Sequence, residues 1–207
     1  MDGLPIRESC EKSTFEQRIR GLSASNWTNR MVTDDEGILI ARSRKGDWEA
    51  FAALVRMHQR MIHSLAYRMS GSAADAQDLA QETFIQAYRG LHGYRGTAKF
   101  SSWLYRIALN LCLRWRRREQ RRGLANLEWA KSTSQVGAPD ARSERIQEAL
   151  NRLPPKQRAA IILTAYDGLT HAEAATLLGC AEATLSWRLF SARRRLAQWL
   201  KDDENTP

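Results

Sequence analysis

The chain has 207 residues, 43% of them hydrophobic, enough for one modest core or two small ones, which excludes disorder throughout. Its 32 Lys and Arg against 23 Asp and Glu leave a formal charge of +9, so an anionic partner is the first expectation, nucleic acid or an anionic membrane surface. No apolar stretch is long enough to span a bilayer and the N-terminus lacks the apolar centre of a signal peptide, so the protein is expected in the cytoplasm without membrane insertion.

Residues 1–32 show no pattern beyond Phe15, Ile19 and Leu22; they read as an N-terminal extension, either an unstructured arm or sequence upstream of a start at Met31. A short helix is expected from about Thr33, with Asp34, Asp35 and Glu36 in its first turn at the positive end of the dipole. From Trp48 the apolar positions run Phe51, Val55, His58, Ile62, Leu65 and Met69, a three-four spacing that predicts a helix over 47–70 between Gly46 and Gly71. Ser72 with Asp75 looks like a capping box, and Ala76, Leu79, Thr83, Ala87 and Leu91 then line one face to about His92. After a loop to Phe100, Ser101 is expected to cap a fourth helix, with Trp103, Leu104, Ile107, Ala108 and Leu111 inward, running into a basic tract at 114–122.

Residues 119–140 lack helical periodicity and read as a linker. Asp140 is the expected cap of a short helix carrying Ile146, Ala149, Leu150 and Leu153, stopped by Pro154 and Pro155. Pro155 opens the next helix, with Ile161, Ile162 and Ala165, which ends at Gly168. Nothing alternates with period two, so the fold class is all-α: two small helical domains, a four-helix one over 33–118 and a helix-turn-helix one over 141–201, joined by a flexible linker and followed by a tail at 202–207.

Three stretches carry the functional signal. Thr170-His171-Ala172-Glu173 is a capping box opening a helix with Ala174, Leu177 and Leu178 inside, Gly179 makes a turn, and a second helix buries Leu185, Leu189, Ala192 and Leu196. Its other face offers Thr184, Ser186, Trp187, Arg188, Ser191, Arg193 and Arg194 to a major groove, against the plainer reading of a helical hairpin with a solvated basic face. In the second stretch Tyr94, Phe100, Trp103, Tyr105 and Trp115 interleave with Arg95, Lys99, Arg106 and Arg114, the composition that holds single-stranded nucleic acid, although such rings are also core formers. Charge concentrates here: residues 41–123 hold 16 Lys and Arg against 6 Asp and Glu. The third, residues 75–82, is an acidic and amide face inside that basic region, either a site for a protein with a basic surface or a solvated face serving the helix dipole.

Cys10, Cys112 and Cys180 are widely spaced, and His58, His63, His92 and His171 form no ligand pattern, so neither a disulfide framework nor a metal site is expected, and Cys112 and Cys180 read as small buried hydrophobes.

The motifs DAQDLAQETFIQAYR at 75–89, YRGTAKFSSWLYRIALN at 94–110 and LPPKQRAAIILTAYDGLTHAEAATLLGCAEATLSWRLFSARRRL at 153–196 closely resemble, in order and spacing, the extracytoplasmic-function sigma factors of bacterial RNA polymerase. The resemblance covers roughly residues 34–200 and implies a promoter-recognition protein with no catalysis and no cofactor of its own, a monomer when free. It implies that Asp75, Asp78, Gln81 and Glu82 grip the clamp helices of the polymerase β′ subunit, that Lys99, Phe100, Ser101, Trp103, Arg106 and Asn110 melt and read the minus-ten element, and that the second domain docks on the β flap. It likewise implies that Thr184, Ser186, Trp187, Arg188, Phe190, Ser191, Arg193 and Arg194 lie on the minus-thirty-five reader, and that an anti-sigma factor controls the protein. Trp187 and Ser191 depart from the family pattern of a small polar residue and a basic one, as does the N-terminal extension. Two rivals predict otherwise: a one-component helix-turn-helix regulator would bind a palindrome as a dimer without polymerase, and a nuclease would need clustered carboxylates or histidines.

Overall fold

A computed structural model describes residues 36–123 and 141–204, with side chains for 36–122 and 144–200. The expected extension at 1–32, the helix start near Thr33, the cap at Asp140 and most of the linker lie outside the described residues. Within them every regular element is helical: α1 (Glu36–Arg44), α2 (Trp48–Ser70), α3 (Ala73–Gly90), a 3-10 turn (Leu91–Gly93), α4 (Phe100–Gly123), α5 (Ala141–Arg152), α6 (Pro155–Ile161), a π turn (Ile162–Tyr166), α7 (His171–Leu178) and α8 (Glu182–Glu204).

The helix ends follow local chemistry. Asp47 accepts the Ala50 N–H to start α2, and Gly71, at φ +83°, ends it by returning its N–H to the Tyr67 carbonyl. Ser72 accepts the Asp75 N–H at the head of α3. The fourth helix differs from expectation: the Lys99 carbonyl accepts the N–H groups of Ser102 and Trp103, so α4 starts at Phe100 and Ser101 lies inside its first turn. It also runs on to Gly123, because a basic tract has good helix propensity even without an apolar stripe. Past α6 the helix widens into the π turn, where Asp167 returns its N–H to the Ile162 carbonyl; the apolar spacing gave no sign of it.

In the first helical group α2 packs on α1, α3 and α4. Phe51, Ile62, Leu65 and Met69 of α2 meet Ala76, Thr83 and Ala87 of α3 and Leu104, Ala108 and Cys112 of α4, all nearly sealed from solvent. Each such large apolar side chain contributes about 1.5–3 kcal/mol by leaving water. In the second group α6 and α7 pack on α8 around Leu163, Ala174, Leu185 and Leu189. Burial raises the Cys112 thiol to about 12, so it behaves as a small apolar side chain.

The two groups touch directly. Arg158 of α6 is 0% exposed. Its Nε donates to the Arg68 carbonyl at 2.6 Å and its Nη2 to the Asn151 side-chain oxygen, while Arg116 of α4 donates to the Asn151 carbonyl at 2.6 Å. The Tyr105 hydroxyl of α4 donates to the Asp167 carboxylate, which also faces Arg68. Burial, then the adjacent Arg116 cation, lowers the Arg158 guanidinium to about 9, so it keeps its charge at neutral pH. Burial raises the Asp167 carboxyl, with Tyr105 and Arg68 pulling it back. A side chain at Gly71 would collide with the Asn151 amide, which fits how closely α2 and α5 approach. The flanking helices alone read as two modules held only by a linker, because this junction is made of polar groups that apolar periodicity does not register.

Candidate functional site

The acidic face stands on α3. With Ala76, Leu79, Thr83 and Ala87 turned inward, the 3.6-residue repeat turns Asp78 outward and exposed, with Asp75, Gln81 and Glu82 half-buried beside it. These four line a groove whose apolar part comes from Leu79 and Ile85 of α3 and Trp115 of α4. The sequence grouped Trp115 with the aromatics of the basic stretch; its position one turn beyond Leu111 on the same helix was the only pointer to this groove. An acidic rim over an apolar floor suits a basic helix with apolar side chains.

The stretch from Tyr94 to Asn110 divides cleanly. Tyr94, Phe100 and Tyr105 are core residues, at 9%, 2% and 6% exposure. Phe100 packs edge-on to Tyr94 at 5.6 Å and meets Trp103 and His58, each at 5.5 Å; the Tyr94 hydroxyl donates to the Ala98 carbonyl at 2.6 Å and ties down the loop. Trp103 and Ser101 are half-buried, while Lys99, Arg106 and Asn110 are exposed. With Phe100, Leu104, Ala108 and Cys112 on the buried side, a four-residue repeat sends Ser102, Arg106, Asn110 and Arg114 along the open side. Asn110 lines a second groove with Gln86, Ile107, Leu113, Arg114 and Arg117. The rings thus support a basic surface from beneath, and Trp103 is the member of the aromatic set left partly open beside Lys99.

On the helix-turn-helix the capping box is complete: Thr170 Oγ1 accepts the Glu173 N–H at 3.3 Å and the Glu173 carboxylate accepts the Thr170 N–H at 2.9 Å. That backbone hydrogen bond leads in holding the Glu173 carboxyl below its usual range. Thr170→Ala should therefore destabilise the chain by about 1 kcal/mol in urea unfolding; an unmoved midpoint would show that the box contributes nothing. Gly179, at φ +59°, closes α7. The Ala181 carbonyl accepts the Leu185 N–H and Glu182 loads the first turn, so α8 starts without a side-chain cap.

Along α8, Leu185, Leu189 and Ala192 are buried, while Thr184, Ser186, Trp187, Phe190, Arg193 and Arg194 are exposed, Trp187 by 64% and Phe190 by 67%. Three residues apart, Trp187 and Phe190 put two large open rings on one face of the helix. Arg188 and Ser191 are drawn inward: Arg188 Nη1 donates to Cys180 Sγ at 3.2 Å, and Gln157 donates to the Ser191 hydroxyl at 3.2 Å. His171, absent from the expected set, stands beside the reader helix with its ring nitrogen 3.5 Å from the Ser186 hydroxyl; its place at the start of the capping-box helix is the signal that could have found it. Among the described residues no group of three or more His, Cys, Asp or Glu could hold a metal, and no helix is long and apolar enough to cross a membrane.

Residues 54–122 match the sigma-70 region 2 family and residues 143–196 the sigma-70 region 4 family. The ECF RNA polymerase sigma factor SigM of Mycobacterium tuberculosis is 39% identical over 162 residues, covering 78% of this chain and 83% of the relative. CnrH, solved in complex with the cytosolic domain of CnrY, superposes with a TM-score of 0.60 at 30% identity over 82% of this chain and 99% of that one. The sigma factor RpoE of Bartonella quintana, solved with the anti-sigma factor NepR, does so at 0.58 and 28%, over 73% and 96%.

Proposed function

We propose the following division of labour for this chain, which belongs to the extracytoplasmic-function group of the sigma-70 family and directs promoter-specific initiation by RNA polymerase. Polymerase supplies the catalysis. The groove rimmed by Asp75, Asp78, Gln81 and Glu82 receives the β′ clamp helices, and the second helical group docks on the β flap. Lys99, Ser101, Trp103, Arg106 and Asn110 hold the opened minus-ten strand, with Phe100 as the packed support beneath them. Thr184, Ser186, Trp187, Arg188, Phe190, Ser191, Arg193 and Arg194 engage the minus-thirty-five duplex.

The observation that carries this reading is the placement of an acid-rimmed groove on α3 next to an exposed basic row on α4, on a chain whose α8 displays Trp187 and Phe190 among arginines. Flipping a base costs a few kcal/mol, and stacking on one ring returns about 1–3 kcal/mol, so melting occurs only where the sequence gives a base that fits. Neither DNA face is large by itself, so free protein should hold promoters weakly. RpoE is solved with the anti-sigma factor NepR and CnrH with the cytosolic domain of CnrY, and the RpoE complex supports an anti-sigma partner for this chain as well.

Run-off transcription with core polymerase on a promoter library tests the proposal: specific transcripts are expected only when the chain is added. A footprint on a palindrome without polymerase, and no transcript with it, would favour the one-component regulator instead. Arg188 gives one N–H to Cys180 and keeps its remaining donors for a base edge. Arg188→Ala should lower promoter discrimination by about 1–3 kcal/mol in competition binding by holoenzyme; unchanged selectivity would confine Arg188 to bracing the turn.

A further inference from the structure

We infer that the reader helix recognises its duplex through thymine methyl groups, Trp187 and Phe190 each covering the methyl of one of two neighbouring A·T pairs in the minus-thirty-five element. The inference rests on the sigma-factor reading above and names the base chemistry of that same face.

A recognition helix meets base edges with the residues of its N-terminal turns. In those turns of α8, Thr184 and Ser186 point outward with hydroxyls, which serve any base and so choose none. Arg188 and Ser191 are held back, the first by Cys180 and the second by Gln157. Arg193 and Arg194 stand a turn further along, where cations suit the phosphates that position a helix without reading sequence. What remains in front is the indole of Trp187, 64% exposed, and the phenyl ring of Phe190, 67% exposed. Neither ring is among those packed on the core, so both are free to meet a groove.

Ring chemistry selects the base. A phenyl ring has no hydrogen-bonding group and an indole has a single N–H donor, so what these side chains recognise is apolar surface. In the major groove only thymine offers it, as its C5 methyl. Reading guanine would instead call for a donor fork set on O6 and N7, and the one guanidinium in these turns, that of Arg188, already gives an N–H to Cys180. Spacing sets the number of pairs. Three residues advance a helix by about 4.5 Å, at about 1.5 Å each, close to the roughly 3.4 Å between stacked base pairs. The two rings therefore fall on neighbouring pairs rather than on one.

The test is competition binding by holoenzyme, made from the full chain and core polymerase, on a promoter that wild type selects from a random library. Each thymine of the minus-thirty-five element, on either strand, is replaced in turn by deoxyuridine, which pairs as thymine does and lacks only the methyl. Two neighbouring pairs should each lose about fourfold in affinity, the contribution of one buried methyl group. At either pair, 5-methylcytosine set opposite guanine should bind about fourfold better than plain cytosine. Trp187→Ala should erase the uracil effect at one pair and Phe190→Ala at the other, and because both rings are exposed the unfolding midpoint should stay in place. A selected element without two neighbouring A·T pairs, uracil bound as well as thymine, or a uracil effect that both variants keep overturns the inference, while run-off from the selected promoter leaves the sigma reading intact. No run-off from any member of the library strikes that reading instead.

Discussion

Asp78→Arg is expected to reduce run-off transcription to near background while leaving the unfolding transition in place. Asp78 is exposed at the rim of the α3 groove and supports no buried contact, so the substitution should change stability by no more than about 0.5 kcal/mol. It sets a cation before a partner argued to be basic, and like charges brought together at an interface cost several kcal/mol, about a hundredfold or more in affinity. Binding to core polymerase, measured directly, should fall with the transcript. Full transcription by this variant would remove the clamp assignment from α3.

Phe100→Ala has the largest expected effect on folding. The ring is 2% exposed and packed among Tyr94, Trp103 and His58, and truncating such a side chain costs about 3–5 kcal/mol through lost burial and the cavity left behind. Chemical unfolding should register that loss, and transcription should decline with the folded fraction. Normal stability with lost promoter opening would instead make Phe100 a ring that leaves its pocket to meet a base.

Much of this architecture was legible in the chain because apolar spacing and caps agreed with each other. The stripe from Ala76 to Leu91 is buried at every position named from the sequence, and the Thr170–Glu173 box and Gly179 turn have the hydrogen bonds their residue types require. The aromatic stretch was legible only in part, since composition cannot say which ring of Tyr94, Phe100, Trp103 and Tyr105 faces inward; the register of α4 decides that, and it depends on the Lys99 carbonyl rather than on Ser101. Trp115 was misplaced for a similar reason, because its groove is shared between two helices. Arg158 was unreadable: an arginine among Ala159, Ala160 and Ile161 looks like a solvated position, and the Arg68 carbonyl that receives it lies 90 residues away.

The open rings of Trp187 and Phe190 beside Arg193 and Arg194 have a consequence for ionic strength. Added salt releases the phosphate contacts that any duplex offers, whereas rings pressed on thymine methyl groups do not answer to screening. On the proposed reader face, brine would therefore strip away random DNA faster than the cognate site, leaving the factor choosier as its grip weakens.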